Sequence, residues 1–184
     1  FADPTDNNNT NIHMIIKSAF AGCTGINDVI MSDTARTSEF EVLAGNDGLS
    51  VLNTITEIGN NAFAGCSGLE SVVFSKNEAF TTISNSAFAD CEALKSITIP
   101  NNITTIGDYA FAENTSSTTL TFEEISKVST IGNNAFENNI ALVAINIPNS
   151  VTKIGNYAFY SCYALKEITL SNQLTEIPNS CFIY

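Results

Sequence analysis

The stretch Phe88-Ala89-Asp90-Cys91-Glu92-Ala93-Leu94-Lys95-Ser96-Ile97-Thr98-Ile99-Pro100-Asn101-Asn102-Ile103-Thr104-Thr105-Ile106-Gly107-Asp108-Tyr109-Ala110-Phe111 decides the fold. Counted from Phe88, apolar residues fall at +3 (Cys91), +6 (Leu94), +9 (Ile97), +11 (Ile99), +15 (Ile103) and +18 (Ile106), and Ala110 immediately precedes the next phenylalanine. Working outward, the phenylalanine recurs at Phe20, Phe40, Phe63, Phe88, Phe111, Phe136, Phe159 and Phe182, with gaps of 20, 23, 25, 23, 25, 23 and 23 residues. A period in the twenties means one supersecondary unit stacked on copies of itself.

Within the unit, the pair at +9 and +11 has the period of two that places both side chains on one face of a strand. One short strand per unit follows, as at Ser96 to Ile99, Ala144 to Ile147 and Glu167 to Leu170, with Pro100 and Pro148 ending two of them for want of an amide donor. Parallel pairing of successive strands builds a sheet. The positions −1, 0, +3 and +6 have a period near three, which predicts a short helix or 3₁₀ turn. Asn60, Asn85, Asp108, Asn133, Asn156 and Asn179 stand three residues before their phenylalanines, where an N-cap for that turn belongs. Gly59, Gly107, Gly132 and Gly155 precede this column. Ser84 and Pro178 occupy the same place, so a tight corner explains the glycines better than a left-handed backbone.

Laid on Phe40, the offsets find Leu43, Leu49, Val51, Ile55 and Ile58, with Asn46 at the usual leucine position. They predict a degenerate repeat there, with a strand near Gly48 to Val51 beside one near Ser71 to Phe74. The segment Ser32 to Thr37 lacks apolar anchors and reads as a loop. Two-residue expansions lie near 75–79 and 123–127, and the Phe111 unit is the expected weak link, because Asn114 and Ser117 replace Cys and Leu. Residues 1–12 form a polar N-terminal approach expected to be poorly ordered, and residues 13–184 a single solenoid of about seven to eight units.

An apolar fraction of 44% against 14% charged supports a packed core and argues against disorder. Nineteen acidic and seven basic residues leave a net charge of −12, which repels phosphate backbones and anionic membranes, and the basic residues stand singly. Nucleic-acid binding is thereby disfavoured. No apolar run approaches the roughly 18–20 residues of a membrane span, and the N-terminus lacks the basic and apolar regions of a signal peptide.

Cys23, Cys66, Cys91 and Cys162 share the inward +3 column, and Cys181 replaces the alanine before Phe182. Buried free thiols are expected; Cys66 and Cys91 come within disulfide range on adjacent coils, but parallel Cβ directions disfavour the bond. His13 is the only histidine and no Cys-x-x-Cys pair exists, so neither a zinc site nor a histidine-dependent nucleophile is supported. With no phosphate-binding or dinucleotide-binding glycine pattern either, we expect no cofactor, no metal and no enzymatic activity.

Alternation along the strands leaves Ile30, Leu52, Val73, Thr98, Thr121, Asn146 and Thr169 on the outside of the sheet, a candidate binding face of mild, mostly hydroxyl character without aromatic residues. Tyr109, Tyr157, Tyr160 and Tyr163 form a second candidate patch on the turn side of the later units, tyrosine being enriched at interaction hot spots.

The string Val151-Thr152-Lys153-Ile154-Gly155-Asn156-Tyr157-Ala158-Phe159-Tyr160-Ser161-Cys162-Tyr163-Ala164-Leu165-Lys166-Glu167-Ile168-Thr169-Leu170 resembles the BspA-type leucine-rich repeat, and its signature recurs from Ile15 to Phe182. The resemblance implies a right-handed α/β leucine-rich-repeat solenoid, with short parallel strands on one face and short helices or turns on the other. It further implies an extracellular or cell-surface protein-interaction module, in the manner of an adhesin fragment binding host or matrix proteins. The alternative is a structural spacer within a larger surface protein, with no ligand of its own. The signature consists of core residues, so it carries no functional residue with it.

Overall fold

The repeats of Phe20, Phe63, Phe88, Phe111, Phe136 and Phe159 each fold as one coil with two short strands and a tight turn around the phenylalanine. The computed structural model describes residues 14–30, 49–50 and 55–183, with the backbone alone for residues 30, 49 and 50. The N-terminal approach, His13, the 32–37 loop, Phe40 and Leu52 lie outside the described residues. The strands are β1 (Met14–Ile15), β2 (Asp28–Ile30), β3 (Leu49–Ser50), β4 (Glu57–Ile58), β5 (Ser71–Val73), β6 (Thr82–Ile83), β7 (Ser96–Ile99), β8 (Thr105–Ile106), β9 (Thr119–Phe122), β10 (Thr130–Ile131), β11 (Ala144–Asn146), β12 (Lys153–Ile154) and β13 (Glu167–Thr169).

They line up in two parallel rows. The expected row holds β2, β3, β5, β7, β9, β11 and β13, and its alternation is plain in β7, where Ile97 and Ile99 are buried and Ser96 and Thr98 exposed. Its ladder is interrupted between β5 and β7 and between β9 and β11, at the coils that carry the two-residue expansions. The second row, β1, β4, β6, β8, β10 and β12, is a correction to the expectation of one strand per unit. Here Ile83, Ile106, Ile131 and Ile154 pair in register and point inward.

The expected helix is absent among the described residues, and the backbone shows why. Residues two before and two after the repeat phenylalanines Phe20, Phe63, Phe88, Phe111, Phe136 and Phe159 adopt a left-handed conformation: Ser86 and Asp90 have φ of 53° and 57°, Asn134 and Asn138 54° and 55°. A left-handed residue on either side breaks the run of helical dihedrals and turns the amides along the stack instead of back four residues. The Phe88 amide accordingly donates to the Ala110 carbonyl (2.9 Å) and the Phe111 amide to that of Ala135 (2.8 Å). On the second strand row the direction reverses: the Gly132 amide donates backward to Ile106 O (2.8 Å) and that of Gly155 to Ile131 O (2.8 Å). The architecture is therefore a parallel-strand solenoid closed by turns, not an α/β one.

The Asx column also acts otherwise than as helix caps. Oδ1 of Asn85 accepts from the Asp108 amide (3.0 Å), Asp108 from Asn133 (2.7 Å) and Asn133 from Asn156 (2.9 Å), each side chain reaching the equivalent residue of the next coil. The phenylalanines fill the centre as one column of nearly parallel rings from Phe20 to Phe182, with centroids 5.1–5.5 Å apart.

The Phe20 coil stacks directly on the Phe63 coil. Their rings are 5.2 Å apart, β1 pairs with β4 through Ile15 and Ile58, and β2 pairs with β5 through Val29 and Val72. The strand at Leu49–Ser50 exists, but it pairs with the opposite edge of β2. The strand near Gly48 to Val51 thus exists but not, as expected, beside the one near Ser71 to Phe74: β2 pairs with β5, and β3 lies at the outer edge of this sheet.

The Phe111 coil is no weak link either. In the +3 column the thiols of Cys66, Cys91 and Cys162 lie 3.1–3.3 Å from the carbonyls of Phe20, Phe63 and Phe136, as cross-coil donors. Asn114 does the same and more: Nδ2 donates to Phe88 O (3.1 Å) and Phe111 O (3.0 Å), while Oδ1 accepts from the Cys91 amide (2.9 Å). Since a buried backbone group left without a partner costs about 1–3 kcal/mol, Asn114→Ala should lose about 2 kcal/mol in urea denaturation, and Asn114→Cys, which keeps one donor, about half of that.

Candidate interaction surface

The outward positions of the first strand row assemble the expected face in pairs. Residue 30 stands in register with Val73, Thr98 with Thr121, and Asn146 with Thr169. The Thr98 and Thr121 hydroxyls are 3.1 Å apart, forming a polar rung between two coils. Val73 is 40% exposed and is the apolar member of the face whose side chain is described.

Below Val73 lies a groove of about 170 Å³ lined by Val72, Val73, Phe74, Lys76, Thr98, Pro100 and Glu123. The expansion at 75–79 places Lys76 and the one at 123–127 places Glu123, and their ion pair (2.8 Å) closes one rim. A second pair, Lys127 to Glu78 at 3.0 Å, ties the same two expansions together in the opposite sense. The groove thus has an apolar floor and a charged rim, an arrangement suited to one side chain of a protein partner.

The four tyrosines do not gather into one cluster. Tyr157 and Tyr160 meet edge to face with centroids 5.7 Å apart. Tyr163 follows on the same coil and is 64% exposed, whereas Tyr109 lies two coils away. The offset count overlooked Ile140 and Val143 next to Tyr163, both exposed. Their signal is a departure within the repeat: the +4 column reads Ser67, Glu92, Thr115, Ile140, Tyr163, and the +7 column Glu70, Lys95, Thr118, Val143, Lys166.

All five cysteines are free. Burial raises the thiol pKa from about 9 to about 11 at Cys66 and Cys181, to about 12 at Cys162, and further at Cys91. The folded chain then keeps its protons where the unfolded chain loses them. Stability is fully present below pH 9 and should fall as pH rises from about 9 towards 12, with the unfolding midpoint in urea dropping over that window. Among the described residues, no group of three or more His, Cys, Asp or Glu could hold a metal ion, and no helix is long and apolar enough to cross a membrane.

A stack of coils with an inward column of Phe, Cys, Leu and Ile and an open strand face defines a leucine-rich-repeat solenoid. The sequence matches the BspA type leucine rich repeat region in six copies, over residues 6–115 and 81–184. The chain belongs to that family. Among solved structures it is similar to the leucine rich repeat protein of T. pallidum, at 22% identity and a TM-score of 0.69 over 87% of this chain and 64% of that one. It is also similar to a leucine rich cell surface protein of Faecalibacterium prausnitzii (26%, TM-score 0.55, 85% of this chain and 42% of that one). A third is the pneumococcal vaccine antigen PcpA (18%, TM-score 0.57, 84% of this chain and 42% of that one). This chain therefore spans less than two thirds of the length of each of these proteins. No curated protein matches it.

Proposed function

We propose that the chain is an extracellular or surface-displayed module that binds a host or matrix protein through the open face of its first strand row. The observation that carries this reading is the groove beneath Val73 and Thr98, set in an exposed face where the inward Ile97 and Ile99 of β7 are committed to the core. The cell-surface description of the F. prausnitzii protein supports the location. Short hydroxyls, one amide and one valine make a surface for broad contact and supply no acid–base pair or nucleophile with its base, so binding is favoured over catalysis.

The test is binding of the chain to a panel of immobilised matrix proteins, with Val73→Lys as the variant. A charge at an exposed valine leaves the fold intact and should weaken binding at least tenfold. Undiminished binding would overturn the choice of face, and no binding to any member of the panel would favour a spacer.

A further inference from the structure

The exposed side chains of Ile140, Val143 and Tyr163 lie on adjacent coils, and none of them lines the groove. The Ala164 amide donates to Ile140 O (3.2 Å) and the Lys166 amide to Val143 O (2.8 Å), so the two +4 residues and the two +7 residues are held side by side. Ile140 is 41% and Val143 44% exposed although the coil that carries them has a neighbour on either side. In the coils before, the same two columns carry serine, glutamate, threonine and lysine. The scaffold therefore has no need of apolar residues at these places, and repeat packing does not account for them. Tyr157 and Tyr160 stand on the same coil as Tyr163, and their rings meet edge to face.

We propose that this corner is a second interaction surface, distinct from the strand face, and that it takes an extended, cationic segment of a partner protein with one aliphatic or aromatic anchor. Size and charge choose the occupant. Ile140, Val143 and Tyr163 expose on the order of 300 Å², well short of the roughly 800 Å² per partner of a standard interface between folded proteins. A second copy of the chain would bring a further −12 of charge against the first, and an anionic lipid surface would be repelled likewise. Glu137 stands on the coil of Ile140, and Glu167, on the coil of Tyr163, is in register with Ala144 beside Val143, against the single lysine Lys166. Lysines or arginines flanking an apolar anchor match that margin.

The test pans a phage-displayed library of random 12-residue peptides against the whole chain and measures the selected peptides as synthetic probes. Ile140→Thr and Val143→Thr together restore the residues that Thr115 and Thr118 already provide in the coil two before Tyr163, so the double variant keeps its fold, as an unchanged melting curve will verify. The expected result is enrichment of peptides with two or more basic residues around one apolar residue. Their affinity should fall at least tenfold in the double variant, fall with added salt, and stay the same in Val73→Lys. Neutral or acidic consensus peptides, no enrichment, affinity indifferent to the double variant, or a concentration-dependent dimer abolished by it would each overturn the proposal.

Discussion

Phe111→Ala should unfold the solenoid from its middle. The ring is fully buried and stacks on Phe88 and Phe136, both 5.5 Å away, and it also meets the edge of Phe74 at 6.2 Å. Removing it leaves a void bounded above and below by rings that the backbone holds in place, because the Phe111 amide and the Ala110 carbonyl are bonded to the neighbouring coils and cannot close the gap. The transfer and cavity contributions together amount to about 4 kcal/mol, which for a chain of this size is a fall of roughly 10 °C in Tm. Phe20 caps the described column, is only half-buried and has one ring neighbour among the described residues, so Phe20→Ala should lose less than half as much. Equal losses at the two positions in calorimetry would show that the column does not share its load in this way.

Gly132→Ala should be nearly as damaging, for the opposite reason. A Cβ there would lie 2.6 Å from the backbone nitrogen and Oδ1 of Asp108 and from the Gly107 carbonyl carbon. Two of these atoms are backbone, and the third is the rung that accepts from the Asn133 amide, so nothing flexible is available to move aside. Overpacking of this kind costs about 3 kcal/mol and should also separate β10 from β8, visible as faster amide exchange at Gly132. Gly25→Ala is the control: it meets nothing within 4 Å and should change stability by less than about 0.5 kcal/mol. At the same place in other coils stand Ser84 and Pro178, and there the second row is not hydrogen-bonded across: β4 and β6 belong to separate ladders, and no strand forms around Ile177. The glycine thus accompanies the cross-coil hydrogen bond on that side, which Gly59, Gly107, Gly132 and Gly155 all make.

The inward columns were legible because burial restricts residue type at fixed offsets: Phe, Cys, Leu and Ile recur wherever the chain turns into the core, and the strands at 96–99 and 167–169 followed from alternation alone. What escaped was set by hydrogen bonds that offsets do not encode. The period of three around Phe88 fits a helical turn as well as a corner between two left-handed residues. Asn at 61, 134 and 138, Asp at 90 and Gly at 22 and 65 are residues that tolerate such a backbone, but Tyr109, Glu113 and Tyr157 adopt it at the equivalent places without any such sign. Leu49 suits an outer strand as readily as an intercalated one, since its offset is silent about which edge of β2 it pairs with. The strand row through Ile106 and Ile131 has a single inward residue per strand, too short for a period of two to register. Of the two proposed surfaces, the one at Val73 and Thr98 follows from alternation, whereas the one at Ile140 and Val143 follows from reading down each column for the coil that departs from it.

The two opposed directions of hydrogen bonding along the stack bear on the electrostatics of the whole rod. Around the phenylalanines the amides point towards the C-terminal end; beside the glycines of the second row they point towards the N-terminal end. Their peptide dipoles therefore run head to tail in opposite senses and largely cancel, unlike those of a helix, where every amide adds to one axial field. Additional coils would lengthen such a rod without charging its poles, so that its long-range field is that of its side chains alone, and the acidic surface is what an approaching partner senses first.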